Sequence, residues 1–221
     1  MPCLQGAKRS LGLNFYRTIL QFIKRDLHVL NLGCGMVFAF EEELFKEKGI
    51  RAVSIDLFDL KRAPSFVRKY IRCSVEEKLP IKEKFDVVTF FELVEHIDKT
   101  EVLFENCLRS LKNDGLLIFS FPNLASLYSR IELLLGFQPH ILEICNISPY
   151  FGAGLFGKLN ATTDKESLHH IRGITHKAMK ELVQAQGFRI NKILGYDWRF
   201  KGLFYKFPSI APVNIFVCEK R

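Results

Sequence analysis

Apolar positions change their period in a regular way along the chain, and the elements follow from that. Leu13, Tyr16, Ile19, Leu20 and Ile23 stand at helical spacing within Leu11 to Arg25, which predicts an amphipathic helix. His28 to Leu32 is a short apolar run of the kind a buried strand shows, and Gly33 and Gly35 turn the backbone before a helix from Phe40 to Lys48 that stops at Gly49. Arg51 to Asp56 predicts a second strand ending in a carboxylate, Lys69 to Cys73 a short third, and Phe85 to Phe91 a fourth that is buried on both faces. A helix from Lys99 to Leu111, a turn at Lys112 to Gly115 and a fifth strand at Leu116 to Phe121, ended by Pro122 and Asn123, come next.

The segment from Leu124 to Ile174 breaks this rhythm. It opens with an apolar helical piece to Phe137 and continues through a Gly- and Pro-punctuated stretch, Gly136 to Gly157, that carries Phe151 and Phe156; an insertion of this length between sheet elements predicts a lid over a site. Within it, Leu127, Ile131, Leu134 and Leu135 are expected to pack the lid onto the core, whereas an exposed stripe there would mark a hydrophobic substrate. Thr175 to Gln186 predicts a helix with Thr175 as N-cap and Gly187 as stop, and Phe188 to Tyr196 and Val213 to Cys218 supply two last strands. Their link is too poor in helix for a crossover, so they are expected to pair antiparallel. Strands alternating with helices at this spacing give right-handed βαβ units. The fold expected is α/β: one doubly wound, Rossmann-like domain over residues 1–221, with a seven-stranded, mostly parallel sheet, an antiparallel last strand and the lid at 124–174.

Composition narrows the classes. The chain has 221 residues, 48% hydrophobic and 25% charged, a balance that excludes disorder. No apolar run reaches the roughly 20 residues that span a bilayer, and Met1 to Ser10 is polar with no apolar stretch of a secretory signal, so a cytoplasmic protein is expected. Six scattered cysteines, without a C-x-x-C pair, read as reduced thiols. The net charge of +8 admits an anionic partner such as nucleic acid, a phosphorylated sugar or a membrane surface, or merely solvated faces.

Strand, G-x-G turn, helix, strand, acid is the order of a nucleotide-type site, and Asp56 lies about 20 residues beyond the glycines, where a carboxylate reaches ribose hydroxyls. With these elements placed, the chain resembles the class I S-adenosylmethionine-dependent methyltransferases over nearly its whole length, through VLNLGCG, VSID, VEEKLP, FDVVTFFELVEHI, LRSLKNDGLLIFSFPN and HIRGITHKAMKELVQAQGF. The segments PNLASLYSRIELLLGFQP and FPSIAPVNIFVCEKR further resemble a subgroup that modifies cell-surface glycans or lipids, and the wider type includes quinone modification. The resemblance implies S-adenosylmethionine as cofactor. Asn31, Gly33, Cys34 and Gly35 would form its loop, Asp56 would hold the ribose, Ser74 and Val75 would line the adenine, and Phe90, Phe91 and Glu92 would edge the pocket near the sulfonium. Three positions depart from the family pattern: Asn31 and Ser74 stand where acids are usual, and Val37 where a third glycine is usual.

A sulfonium is already activated, so the protein mainly aligns the acceptor; a base helps when the acceptor is a hydroxyl. His96 is the nearest candidate base, and His169 and His170 are a second acid/base pair or exposed loop histidines. Arg172 pairs with an anionic acceptor or with a surface carboxylate. Glu92, Glu95 and His96 form E-x-x-E-H, which together with His170 resembles the divalent-metal site of small-RNA 3′-terminal 2′-O-methyltransferases and part of that of quinone O-methyltransferases; in members without metal such residues shape the loop. The function expected is methyl transfer, at oxygen, to a small or glycan- or lipid-linked acceptor. The alternatives are a metal-assisted RNA 2′-O-methyltransferase and a methyltransferase-like binding subunit without turnover.

Overall fold

Side chains alternate across a strand, so a strand can feed two cores, and most of those here do. The computed structural model describes residues 12–145, 147–148, 150–154, 169–198 and 202–221. Strands β1 (Val29–Leu32), β2 (Val53–Asp56), β3 (Lys69–Arg72), β4 (Phe85–Phe91), β5 (Leu111–Pro122), β6 (Phe188–Tyr196) and β7 (Val213–Lys220) form one sheet in the order β3-β2-β1-β4-β5-β7-β6. The pairs among β1 to β5 are parallel, and β7 runs antiparallel between β5 and β6. Five helices belong to this frame: α1 (Gly12–Leu20), α2 (Ala39–Lys48), α3 (Thr100–Ser110), α4 (Leu127–Leu134) and α5 (His176–Ala185). Leu30, Leu32, Phe90, Phe119 and Phe216 face Phe104 of α3 and Met179 of α5, while Val29, Val87, Ile118 and Ile215 face Phe15 and Ile19 of α1 and Phe40 and Leu44 of α2.

Register makes one apolar row across six strands: Ile55, Leu32, Phe90, Phe119, Phe216 and Ile193 are successive neighbours. Three of its rings stack, Phe90 on Phe119 at 4.7 Å and Phe119 on Phe216 at 5.2 Å, and Phe104 meets Phe119 edge-on at 5.7 Å. Aromatic pairs at these separations add to the area they bury.

Three elements differ from expectation, each for a local reason. Lys112 to Gly115 is an irregularity inside β5 rather than a turn before it: Phe85 pairs with Leu111 and Val87 already with Leu116. Asp86 anchors the irregularity, accepting from the Lys112 ammonium at 2.8 Å and the His28 N–H at 2.8 Å. The apolar piece expected as a helix from Leu124 becomes helical only at Leu127, because the Asn123 side chain accepts from the Ala125 N–H at 3.0 Å and the His176 N–H at 3.1 Å, which holds residues 123–126 in a turn. Ser126 then caps α4 by accepting from the Ser129 N–H. The buried face of α4 is Tyr128, Ser129 and Glu132, so the expectation that Leu127, Leu134 and Leu135 pack the lid onto the core is corrected: Leu134 is 86% and Leu135 63% exposed. Thr175 caps α5 as expected, accepting from the Ala178 N–H at 3.2 Å. Phe156 and the rest of 155–168 lie outside the described residues.

Among the described residues no helix is long and apolar enough to cross a membrane, and Cys34, Cys73, Cys107, Cys145 and Cys218 are free. Phe119→Ala is expected to destabilise the fold by about 3–5 kcal/mol, read as a lower urea midpoint at unchanged slope.

Candidate functional site

The loop after β1 is built on left-handed backbone. Gly33 and Gly35 have φ of 71° and 64°, and a Cβ on Gly33 would sit 2.9 Å from a methyl of Leu93. The third left-handed residue is Phe38, at φ 48°, and not Val37, so the β-branched side chain avoids the conformation it tolerates least. Phe38 is buried against Tyr70, ring centroids 5.9 Å apart, and that packing offsets its strain. Across the loop, Asp56 accepts from the Gly35 N–H at 2.8 Å and the Leu57 N–H at 2.7 Å, while the Ile55 carbonyl accepts from the Gly33 N–H at 2.8 Å. Burial raises the Asp56 carboxyl and these N–H groups oppose it. Each carboxylate oxygen can accept a further bond, which is what a ribose hydroxyl needs.

Beneath the loop, Asn31 is buried and points at α2 instead of the loop surface. Its amide donates to Glu41 Oε1 at 2.8 Å and its carbonyl accepts from Thr89 Oγ1 at 2.8 Å; Ser54 Oγ also donates to Glu41 Oε1, at 2.7 Å. Ser54, Asn31 and Thr89 are cross-strand neighbours on β2, β1 and β4, so a polar row lies one residue along from the apolar one and on the opposite face of the sheet. Glu41 is fully buried, its Oε2 has no hydrogen-bond partner among the described residues, and burial raises its carboxyl. Neither Glu41 nor Thr89 was expected at the site; an acid in the first turn of α2 facing a buried asparagine was the available signal.

Where the resemblance implies the adenine, Ser74 Oγ accepts from the Glu76 N–H and Val75 is buried in the core. Asn106 of α3, also unexpected, fixes this segment by donating to the Val75 carbonyl at 2.9 Å and the Glu77 carbonyl at 2.7 Å. At the end of β4, Phe91 packs among Phe15, Tyr16 and Phe40, and Glu92 has a left-handed φ of 46° with Oε1 accepting from the Ser120 hydroxyl at 2.7 Å. Burial pushes the Glu92 carboxyl up to about 7.

Three residues on, the short helical turn Val94–His96 places Glu95 and His96 beside His170, which precedes α5. The two imidazoles meet edge-on at 4.8 Å. His96 Nδ1 lies 3.1 Å from the His169 carbonyl and His170 Nδ1 2.6 Å from the Ile141 carbonyl. A carbonyl only accepts, so both rings carry their proton on Nδ1 and present an Nε2 lone pair. Those nitrogens stand 3.7 Å and 3.9 Å from Glu95 Oε1, and neither oxygen of the buried Glu95 carboxyl has a hydrogen-bond partner among the described residues. Three lone-pair groups within 4.8 Å of one another with no donor between them suit a proton or a cation. Burial lowers His96, pushes His170 down to about 4, and raises Glu95 well above the usual carboxylate range with help from the Glu92 charge. Carbonyl anchoring of Nδ1 is the arrangement that orients histidine ligands of metals.

Of the remaining expected residues, His169 is half-buried and uses its carbonyl rather than its ring on His96. Arg172 donates to the Asp98 carbonyl at 2.8 Å, with the Asp98 carboxylate 3.9 Å away, which realises the surface-carboxylate alternative. A separate cleft of about 570 Å³, lined by Asn14, Arg17, Thr18, Tyr196 and Tyr205 among others, includes none of Glu95, His96 and His170.

Residues 9–193 match the profile of a family described as a methyltransferase domain. Curated relatives include two ubiquinone biosynthesis O-methyltransferases. That of Bradyrhizobium diazoefficiens is 29% identical over 104 residues, 44% of this chain and 40% of the relative; that of Nitrobacter winogradskyi is 26% identical over the same length, 44% and 39%. The chain thus spans about two fifths of the length of the curated relatives it matches. Among solved structures, an S-adenosylmethionine-dependent methyltransferase from Mesorhizobium loti is similar at TM-score 0.60 and 14% identity over 94% of this chain and 96% of that one. The [4+2]-cyclase SpnF is similar at TM-score 0.63 and 12% identity over 94% and 80%. A Burkholderia thailandensis 1,6-didemethyltoxoflavin-N1-methyltransferase, determined with bound S-adenosylhomocysteine, is similar at 0.57 and 14% over 93% and 76%.

The raised Glu92 carboxyl has a consequence with a definite sign. A buried acid that favours its neutral form contributes stability that is fully present below its ordinary range and is lost as pH rises through about 7. Urea unfolding is expected to show about 1–3 kcal/mol less stability at pH 8 than at pH 5.5 from this group, and Glu92→Gln is expected to flatten that slope.

Proposed function

The chain belongs to the methyltransferase-domain family, the class I S-adenosylmethionine-dependent methyltransferases, and on that premise we propose that it moves the methyl group of S-adenosylmethionine to a hydroxyl oxygen of a small acceptor under the lid. The observation that carries the choice of oxygen is the convergence of Glu95 and the Nε2 atoms of His96 and His170, three proton-accepting groups beyond the strand end where the sulfonium belongs. The similarity to O-methyltransferases over 104 residues supports the same choice. The exposed leucines of α4 support an acceptor with a lipid-like portion, within the glycan- or lipid-linked class the sequence implies. The free thiols of the described residues support a reducing, cytoplasmic setting.

In this reading Gly33, Cys34 and Gly35 carry the methionine part of the cofactor, with Asn31 acting from below through Glu41 and Thr89. Asp56 accepts from the ribose, Ser74 and Val75 flank the adenine, and Phe91 and Glu92 border the sulfonium. The acceptor oxygen attacks the methyl carbon in line with the departing sulfur, and the electron pair of the C–S bond leaves as the thioether of S-adenosylhomocysteine. The hydroxyl proton goes to His96 Nε2, whose ring is neutral near pH 7 and less enclosed than His170. The same donor set fits a divalent cation, which when bound supplies acidification of the hydroxyl in place of the base. His96, His170 and Glu95 would hold it.

A second reading, in which the chain binds its cofactor without methyl transfer, is favoured by the similarity to a cyclase of the same fold. Titration calorimetry separates these. S-adenosylmethionine and S-adenosylhomocysteine are both expected to bind, and Asp56→Ala is expected to weaken both at least tenfold; no heat from the intact chain at millimolar ligand overturns both readings. Release of S-adenosylhomocysteine on addition of a panel of phenols and catechols, lost about 10²-fold or more in His96→Ala, supports transfer at oxygen, and binding without release across the panel supports the second reading.

A further inference from the structure

The lid contains a buried acid–imidazole pair that the reaction above does not use. Glu132 of α4 is 1% exposed, and its Oε2 accepts from both the His140 backbone N–H at 3.1 Å and His140 Nδ1 at 2.9 Å. One carboxylate oxygen therefore fixes the backbone and the ring of the same residue. The Phe137 N–H donates to the Glu132 carbonyl at 2.8 Å, and Gln138 Nε2 donates to the Leu142 carbonyl at 2.6 Å, so residues 137–142 are held at both ends. The residue after His140 is Ile141, whose carbonyl accepts from His170 Nδ1 at 2.6 Å. The direction of that carbonyl follows from the backbone Glu132 holds. His96, the other imidazole of the cluster, takes its Nδ1 partner from a different place, the His169 carbonyl at 3.1 Å.

We propose that Glu132 and His140 are a positioning pair: by fixing the Ile141 carbonyl they hold His170 as the Nδ1–H tautomer, with its Nε2 lone pair turned to Glu95. The role rests on reading Glu95, His96 and His170 as the reaction centre, but the tautomer does not. Without the pair, His170 has no fixed acceptor on Nδ1 and its proton redistributes between the two nitrogens, which turns a donor toward Glu95 in part of the population. Breaking a buried pair on one side lowers stability as well. That loss is shared by any structural role and does not identify this one.

The test is the long-range ¹H–¹⁵N spectrum of the imidazoles of the full chain without added ligand at pH 8, where six histidines can be assigned by single substitution. A ring locked as one tautomer shows two widely separated nitrogen shifts; a mixture shows averaged ones. In the native chain His96 and His170 are both expected as Nδ1–H. In His140→Ala and Glu132→Ala the His170 shifts are expected to average while those of His96 stay in place, and Glu132→Gln, which keeps an acceptor oxygen, is expected to restore them. Unchanged His170 shifts in both alanine variants overturn the proposal. So does simultaneous averaging of His96 and His170, which marks general loosening of this region. Should His140→Ala not fold, Glu132→Asp, which withdraws the carboxylate by one methylene, asks the same question. None of these outcomes depends on methyl transfer, so failure here and failure of the proposed function are distinguishable.

Discussion

The glycine-loop end of the molecule depends on one buried amide. Asn31 sits in β1, an inner strand, between Ser54 and Thr89 in register, on a face otherwise packed by aliphatic and aromatic side chains. A buried amide without partners costs about 1–3 kcal/mol per unsatisfied group, so something polar has to reach it. Glu41 does, from the first turn of α2. That contact fixes the rotation of α2 about its axis and its height over β1, and so the gap the loop from Gly33 to Phe38 must span. Asp56 fixes the same loop from the other side through the Gly35 N–H. The backbone between these two carboxylates has little freedom left, which accounts for a non-glycine residue, Phe38, holding the last left-handed turn.

The second anchored region is the turn after β4, which begins at Glu92 and meets residues 169–171. The left-handed backbone of Glu92 and that of His169, at φ 55°, are both unfavourable for side chains with a Cβ and persist because neighbours impose them. The Glu92 N–H and carboxylate are both engaged by Ser120 of β5, and the Glu95 carbonyl accepts from the Ile171 N–H. Strand β5 and residues 169–171 thus hold the E-x-x-E-H turn in a shape that the sequence between Glu92 and His96 would not choose by itself. Besides the His170 ring, the segment 124–174 contributes backbone carbonyls: those of Ile141 and His169 decide which nitrogen of each imidazole is free.

Much of this frame was legible in the sequence because burial leaves a periodic trace. Phe85 to Phe91 and Phe188 to Tyr196 form strands at the expected boundaries, and the antiparallel last pair followed from a link too poor in helix to cross over. The glycines of the loop and the carboxylate at the end of β2 are brought together as their spacing implied, and Glu95, His96 and His170 meet although 74 residues separate the two histidines (170 − 96). What was not legible depended on contacts between distant polar groups. The turn at residues 123–126 is imposed by Asn123 reaching the N-terminus of α5, and no local propensity announces it. The lid leucines looked like core because their spacing is helical, yet the face that packs is the one carrying Tyr128, which donates to Asp197 at 2.6 Å, and Glu132, which receives His140. Hydrophobic periodicity marks a face of a helix; it does not say whether a neighbour covers it.

Charge shows most sharply the difference between what a chain is and what its site reads. The sequence carries +8, and that excess admitted nucleic acid as a partner. Yet several of its cations are placed at the surface against carboxylates: Arg68 with Glu83, Arg72 with Asp59, Lys112 with Asp86, Arg189 with Glu219. Such pairs are worth little individually and are screened by salt. The groups withdrawn from water around the loop and the end of β4 have the opposite sign: Glu41, Asp56, Glu92 and Glu95, all raised by burial. A cluster of acids held partly neutral by desolvation is relieved by a positive charge placed among them, and a sulfonium and an ammonium on one ligand supply two. The protein's field at long range is that of a base, and the field inside its site is that of an acid.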